Sequence, residues 1–154
     1  MFGKPVSEYL RFQKLILVLI VAVWALRLGL SLAGTPMATV KWVSVTGVLI
    51  LGTLYYGIAV HTRGFGSYKQ LYALNLFQSV LGEWLVALAV VLGILTWQNN
   101  AYTVPEYSGN AEGRTWFHVL AHLIIGAVVL PLVGWALSSL VLLVTRLVAP
   151  RKAG

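Results

Sequence analysis

The chain has 154 residues, of which 59% are apolar and 10% charged, with a net charge of +7 and no cysteine. A soluble domain averages roughly 45–50% apolar and about 25% charged residues, so this excess points to lipid rather than water as the solvent. The missing cysteine excludes disulfides, thiolate metal sites, iron–sulfur clusters and cysteine nucleophiles. The basic residues sit at the ends of apolar runs and are not interleaved with exposed aromatics, which excludes a nucleic-acid surface.

The expected fold is all-α: a single domain over 1–154, an integral membrane bundle of four transmembrane helices. The first span is expected at about 15–33. It follows the segment MFGKPVSEYLRFQK and is too long for the apolar core of a signal peptide, about 7–15 residues, so it reads as a retained membrane helix. Gly34-Thr35-Pro36 ends it, because proline cannot continue a helix. Arg27 lies near its far end and is expected to snorkel to the interface, or to meet Glu106, Glu112 or another protein. Ala25, Gly29 and Ala33 form a small-residue stripe suited to close packing, as do Thr53 and Gly57 in the second span and Ala89 and Gly93 in the third.

The second span is expected at about 40–61, closed by the loop HTRGFG. His61, Arg63 and Lys69 make this loop basic. It reads as a cytoplasmic anchor facing lipid headgroups and lacks the spacing of a nucleotide-binding loop.

The third span is expected at about 71–97, with the helix starting earlier, at Tyr68, on a capping box formed by Ser67 and Gln70. Glu83 falls about 18 Å along the axis from Leu71 at ~1.5 Å per residue, near the bilayer centre. A charge there costs about 2.5–3.5 kcal/mol on insertion scales and calls for a reason. Asn75, Gln78, Ser79 and Glu83 share one helical face. That polar stripe is either a proton or ion relay, a headgroup or cofactor contact, or a structural seam in which Glu83 pairs with a base or stays protonated.

After the polar stretch QNNAYTVPEYSGNAEGR the fourth span is expected at about 116–148, opening with WFHVLAH. Thr115 is a plausible N-cap. His118 and His122, four apart, share a face that Gly126 continues. That spacing suits a transition metal or an axial haem ligand, but further ligands would have to come from Glu106, Glu112 or Met37, and His61 belongs to the other end. The plainer reading is helix-end hydrogen bonding, or contact with the acidic loop or a partner. Pro131 is expected to kink this helix.

Lys4, Arg11, Lys14, Arg63, Lys69, Arg146, Arg151 and Lys152 fall on one side, against Lys41 and Arg114 on the other. Both termini are therefore expected to be cytoplasmic, in a cell membrane such as the bacterial inner membrane. Trp24, Trp42, Trp97, Trp116 and Tyr102 lie toward the outer side as an aromatic belt.

Size, basicity and four spans resemble the membrane-associated glutathione-metabolising proteins. Their Arg-x-x-x-Asn-x-x-Glu signature is missing, since Leu71 stands four before Asn75 and Gln78 three after. Small multidrug transporters also pair four spans with a membrane glutamate, but in their first helix, where the 15–33 span has none. The chain has no aspartate, which weakens carboxylate metal sites and phosphoryl chemistry. The expected role is a non-catalytic accessory or scaffolding subunit of a larger membrane complex, with lipid and other subunits or copies of itself as partners. Two alternatives stand beside it. One is a haem- or metal-binding redox protein using His118 and His122; the other is a small proton-coupled transporter centred on Glu83.

Overall fold

The computed structural model describes residues 1–105 and 112–149. Glu106, Arg151 and Lys152, named above, lie outside them. The described residues form helices only, in the order α1 (Val6–Leu32), α2 (Met37–Val40), α3 (Val45–Thr62), α4 (Tyr68–Thr96), α5 (Trp116–Leu120), a π-helical turn (Ala121–Gly126) and α6 (Ala127–Val148). Counting α2–α3 and α5–α6 each as one segment, four segments are long and apolar enough to cross a membrane.

Each helix end follows from local chemistry. The α3 start is capped by Ser44, whose hydroxyl accepts from the Gly47 amide at 3.2 Å. The expected second span is therefore broken: Met37–Val40 makes a separate turn, and the main helix begins at Val45. Gln70 accepts from the Ser67 amide at 2.8 Å, the reciprocal half of the expected capping box. At its far end α4 stops at Thr96, one residue earlier than expected, because Trp97 turns into the left-handed region at φ 56°. The first helix starts at Val6 rather than near residue 15, so Arg11 and Lys14 ride on its first turns.

Helices α3 and α4 form the centre of the bundle. Each packs against the other and against both α1 and α6, whereas α1 and α6 lie on opposite sides. The N-terminal residues, the end of α3, the start of α4 and Ala149, the last described residue, gather at one end of the bundle. There His61 Nε2 bonds the Ala149 carbonyl at 2.8 Å and Gln70 donates to the Phe2 carbonyl at 2.8 Å. The other end carries α2, the loop after α4 and the start of α5.

Glycine sets the seams. A Cβ on Gly57 would meet Val141 at 2.6 Å and the Ser138 carbonyl at 2.8 Å, so α3 and α6 touch backbone to backbone. Gly93 gives room to Thr103 of the following loop rather than to a helix. The Ala25, Gly29 and Ala33 stripe behaves differently from the expected packing face, for all three are exposed and a Cβ on Gly29 would meet nothing within 4 Å.

Along the α3–α4–α6 seam lies a polar cluster. Thr53 donates to Asn75 Oδ1 at 2.8 Å; Asn75 Nδ2 donates to Ser138 Oγ at 3.0 Å and to the Leu71 carbonyl at 2.9 Å. Gln78 Nε2 lies 3.0 Å from Thr53 Oγ1 and 3.1 Å from the Leu49 carbonyl. Interhelical hydrogen bonds of this kind contribute about 0.6 kcal/mol each in a membrane, so the cluster fixes register more than it adds stability. Nearer the chain ends, Tyr56 donates to Gln13 at 3.1 Å, both fully buried.

The fourth long segment is not one continuous α-helix. Its π turn, in which the Ala127 amide reaches back to the His122 carbonyl, precedes Pro131 by about one turn. The departure from α geometry thus falls on His122, upstream of the proline where the kink is expected. Such turns carry one extra residue and re-aim the side chains within them.

Candidate functional site

Glu83 and the two histidines, read separately in the sequence, lie in contact in the structure. Glu83 is 8% exposed and its Oε2 lies 2.5 Å from His122 Nδ1. His122 Nε2 lies 3.0 Å from His118 Nε2, and His118 Nδ1 lies 2.8 Å from the Gly113 carbonyl. A carboxylate, two imidazoles and a backbone carbonyl therefore form a single file of three contacts.

Local structure explains how they meet. Thr115 caps α5, its hydroxyl accepting from the His118 amide at 3.1 Å, and this sets the first histidine. Two histidines four apart stay on one face, and the π turn carries His122 and Gly126 toward α4. A Cβ at Gly126 would overlap the Glu83 carboxylate, so a larger residue there would push that side chain from its present position against the helix. The depths match because the loop after α4 folds back along it. Asn100, 2% exposed, donates to the Ala89 carbonyl at 2.8 Å and accepts from the Tyr102 amide at 2.9 Å. The start of α5 is thereby set well below the last turns of α4. Asn100 had no signal beyond a polar loop; an Asn two residues before a buried aromatic is its only sequence trace.

The file has a proton count. Each contact needs one hydrogen, and the Gly113 carbonyl can only accept, so His118 Nδ1 carries one. Three hydrogens on one carboxyl and two imidazoles give zero net charge. Either Glu83 is protonated beside two neutral rings, or it is ionised and one ring is an imidazolium. Moving hydrogens along the file interconverts these forms without moving a heavy atom.

A cavity of about 340 Å³ opens beside the file, lined also by Arg27, Lys41, Ser44, Thr46 and Tyr102. Arg27 turns inward: its guanidinium donates to the Val43 and Ala101 carbonyls at 3.3 Å each and stands 5.0 Å from the centre of the Tyr102 ring. Burial pushes the Tyr102 phenol above its ordinary range, with the Arg27 charge working in the opposite direction. Glu112, one of the acids considered for Arg27, accepts instead from Arg114 at 3.0 Å; that hydrogen bond holds its carboxyl below the ordinary range.

Of the remaining expected residues, Asn75 and Gln78 join the polar cluster and Ser79 is buried on α4 one turn from Glu83. His61 and Arg63 lie at the opposite end, where Arg63 stands 5.5 Å from the Tyr55 ring centre and Lys69 sits in the first turn of α4. His122 engages both ring nitrogens, so a metal on the pair would have to displace Glu83 or His118. Among the described residues no group of three or more His, Cys, Asp or Glu is placed to hold a metal ion. Compared with known protein families, characterised proteins and solved structures, the chain matches none.

Proposed function

We propose that this chain is a small proton-coupled transporter of a cell membrane, crossing it four times with both termini cytoplasmic, and that the Glu83–His122–His118 file is its proton site. The apolar outward faces of α1 and α6 support the membrane setting, and the sequence's excess of Lys and Arg before the first span, between the second and third, and after the fourth supports the orientation. The observation that carries the reading is the file itself. Carboxylate and imidazole groups inside an apolar bundle are costly and mark proton relays; here they are in hydrogen-bond contact, open onto a polar cavity.

The relay has a continuation. Below Glu83 the same face of α4 presents Ser79, Gln78 and Asn75, and Asn75 meets the Thr53 hydroxyl of α3 and the Ser138 hydroxyl of α6. One helical turn, about 5.4 Å, separates Glu83 from Ser79 along the axis, so transfer between them requires an intermediate such as a bridging water. Alternating exposure of the file needs an element with two arrangements, and the π turn beside Pro131 is placed to provide it.

The test is proton uptake into proteoliposomes driven by a potassium diffusion potential and read by an internal pH dye. Uptake by the wild-type chain is expected to exceed that of Glu83→Gln by about tenfold or more, the scale of a lost proton-transfer group. Equal rates for wild type, variant and empty liposomes would remove the reading.

The accessory-subunit reading has one observation of its own: the exposed Ala25, Gly29 and Ala33 face of α1 would admit a second helix closely. Mild-detergent purification from the native source is its test, and a monodisperse single chain would count against it.

A further inference from the structure

A second cavity lies between α3 and α6, outward of the point where Gly57 abuts Val141. Its rim is made by Ile50, Leu54, Leu130, Val133 and Leu137, all apolar and all exposed. Ile50 and Leu54 fall near the middle of α3, an 18-residue helix about 27 Å long at ~1.5 Å per residue. A bilayer's hydrocarbon core is about 30 Å thick. In the membrane setting proposed above, the mouth therefore opens at mid-depth, onto lipid chains rather than water. The floor is polar: Thr53 and Gln78 belong to the α3–α4–α6 cluster, and Ser79 of α4, 3% exposed, lies beside them.

These floor groups are not equally engaged. The Thr53 hydroxyl donates to Asn75 and lies 3.0 Å from Gln78 Nε2, which also donates to the Leu49 carbonyl at 3.1 Å. Gln78 Oε1 is turned to Gly52 and Ile16, on the α1 side. The Ser79 hydroxyl makes no hydrogen bond to any described residue. Thr46, the remaining polar lining residue, is exposed and also lines the cavity beside the file. A water held at Ser79 would need two to four polar partners, and among the described floor groups Ser79 alone is free and faces the space. The volume is about 100 Å³. An apolar cavity of about 150 Å³ holds benzene, so by proportion this one takes about four heavy atoms. We infer that it binds the polar end of an uncharged lipophile dissolved in the bilayer, a medium-chain alcohol in its simplest form. The hydroxyl pairs with Ser79, the first carbons lie against the apolar walls, and the rest of the chain passes out between Leu54 and Leu137 into lipid. The inference rests on the membrane setting and needs no proton movement at Glu83.

The experiment uses the full chain in phosphatidylcholine nanodiscs, photolabelled with an octanol that carries a diazirine at its third carbon and, separately, with the matching azioctane that lacks the hydroxyl. Labelled positions are mapped by peptide mass spectrometry. The alcohol is expected to label Leu49, Thr53 or Ser79, which are buried from bulk lipid, and excess 1-octanol should displace it. Ser79→Ala should reduce that labelling by about threefold to tenfold, the scale of one hydrogen bond. Leu137→Trp, at the exposed mouth, should block it while leaving labels on the outer face of α1 unchanged. Labelling confined to the exposed faces would overturn the inference, as would equal labelling of the buried positions by azioctane or by the Ser79→Ala chain. A chain that stays in solution without detergent or lipid would remove the membrane setting itself, and the site with it, an outcome read before any label is added.

Discussion

Glu83 and His122 meet across the seam between α4 and the π turn, carboxylate to imidazole at 2.5 Å, over a glycine whose missing side chain makes the room. The pair separates two functions that a single substitution usually confounds. Glu83→Gln keeps an oxygen to accept from His122 but removes a titratable group, whereas Glu83→Ala leaves His122 without its partner. The glutamine variant should melt close to wild type. The alanine variant should lose about 1–3 kcal/mol, the cost of an unsatisfied buried polar group. Both should lose proton uptake. Thermal melts in detergent, set beside liposome uptake, check this.

Gly126→Ala tests the close approach. On helix propensity alone alanine would stabilise by about 0.8–1 kcal/mol. The added methyl instead collides with the Glu83 carboxylate, and overpacking costs about 1–3 kcal/mol. A lower melting temperature and impaired proton uptake are expected. A gain in stability with uptake intact would mean that Glu83 does not lie against the turn.

Tyr102 gives a pH dependence. Burial raises its phenol above the ordinary value, about 10 for free tyrosine. A group that holds its proton more tightly when folded stabilises the fold fully below the unfolded value, and that contribution is lost as pH rises through the folded one. The wild-type minus Tyr102→Phe difference absorbance should therefore show little phenolate near pH ~10. The stability difference between the two should shrink at still higher pH. Half-ionisation of Tyr102 at the ordinary value would contradict the buried placement.

Orientation can be read directly, because the chain has no cysteine of its own. Gln98→Cys, in the loop after α4, should react with an impermeant maleimide added outside intact cells. Arg63→Cys, after α3, should react only once the cells are opened. Both positions are exposed. The reverse pattern would invert the proposed topology.

Much of the fold is legible in the sequence, because long apolar runs and a lopsided charge distribution act on every residue at once. Four helical segments and the Ser67–Gln70 start of α4 follow from runs, caps and breakers alone. The break at Ser44 is harder to see, since Lys41-Trp42-Val43-Ser44 interrupts the apolar run only briefly. The π turn has no signature of its own; proline marks its neighbourhood but not its position. Glu83, His118 and His122 each stand out as costly residues in an apolar chain, yet nothing local joins them. Counting residues from the ends of the spans puts the acid and the second histidine at different depths. What brings them level is Asn100, which ties the loop back onto the Ala89 carbonyl, a long-range contact that periodicity does not encode. Arg27 is similar: its position near a helix end suggests the interface, while its partners are the carbonyls of Val43 and Ala101, distant in sequence.

The most direct measurement is the nitrogen–nitrogen coupling across the His118–His122 contact in ¹⁵N-histidine-labelled protein in lipid. The account predicts a resolved coupling between the two Nε2 atoms, with the His122 Nδ1 resonance shifting when Glu83 is replaced by glutamine. Two uncoupled imidazoles, with a Nδ1 resonance indifferent to that replacement, would contradict it.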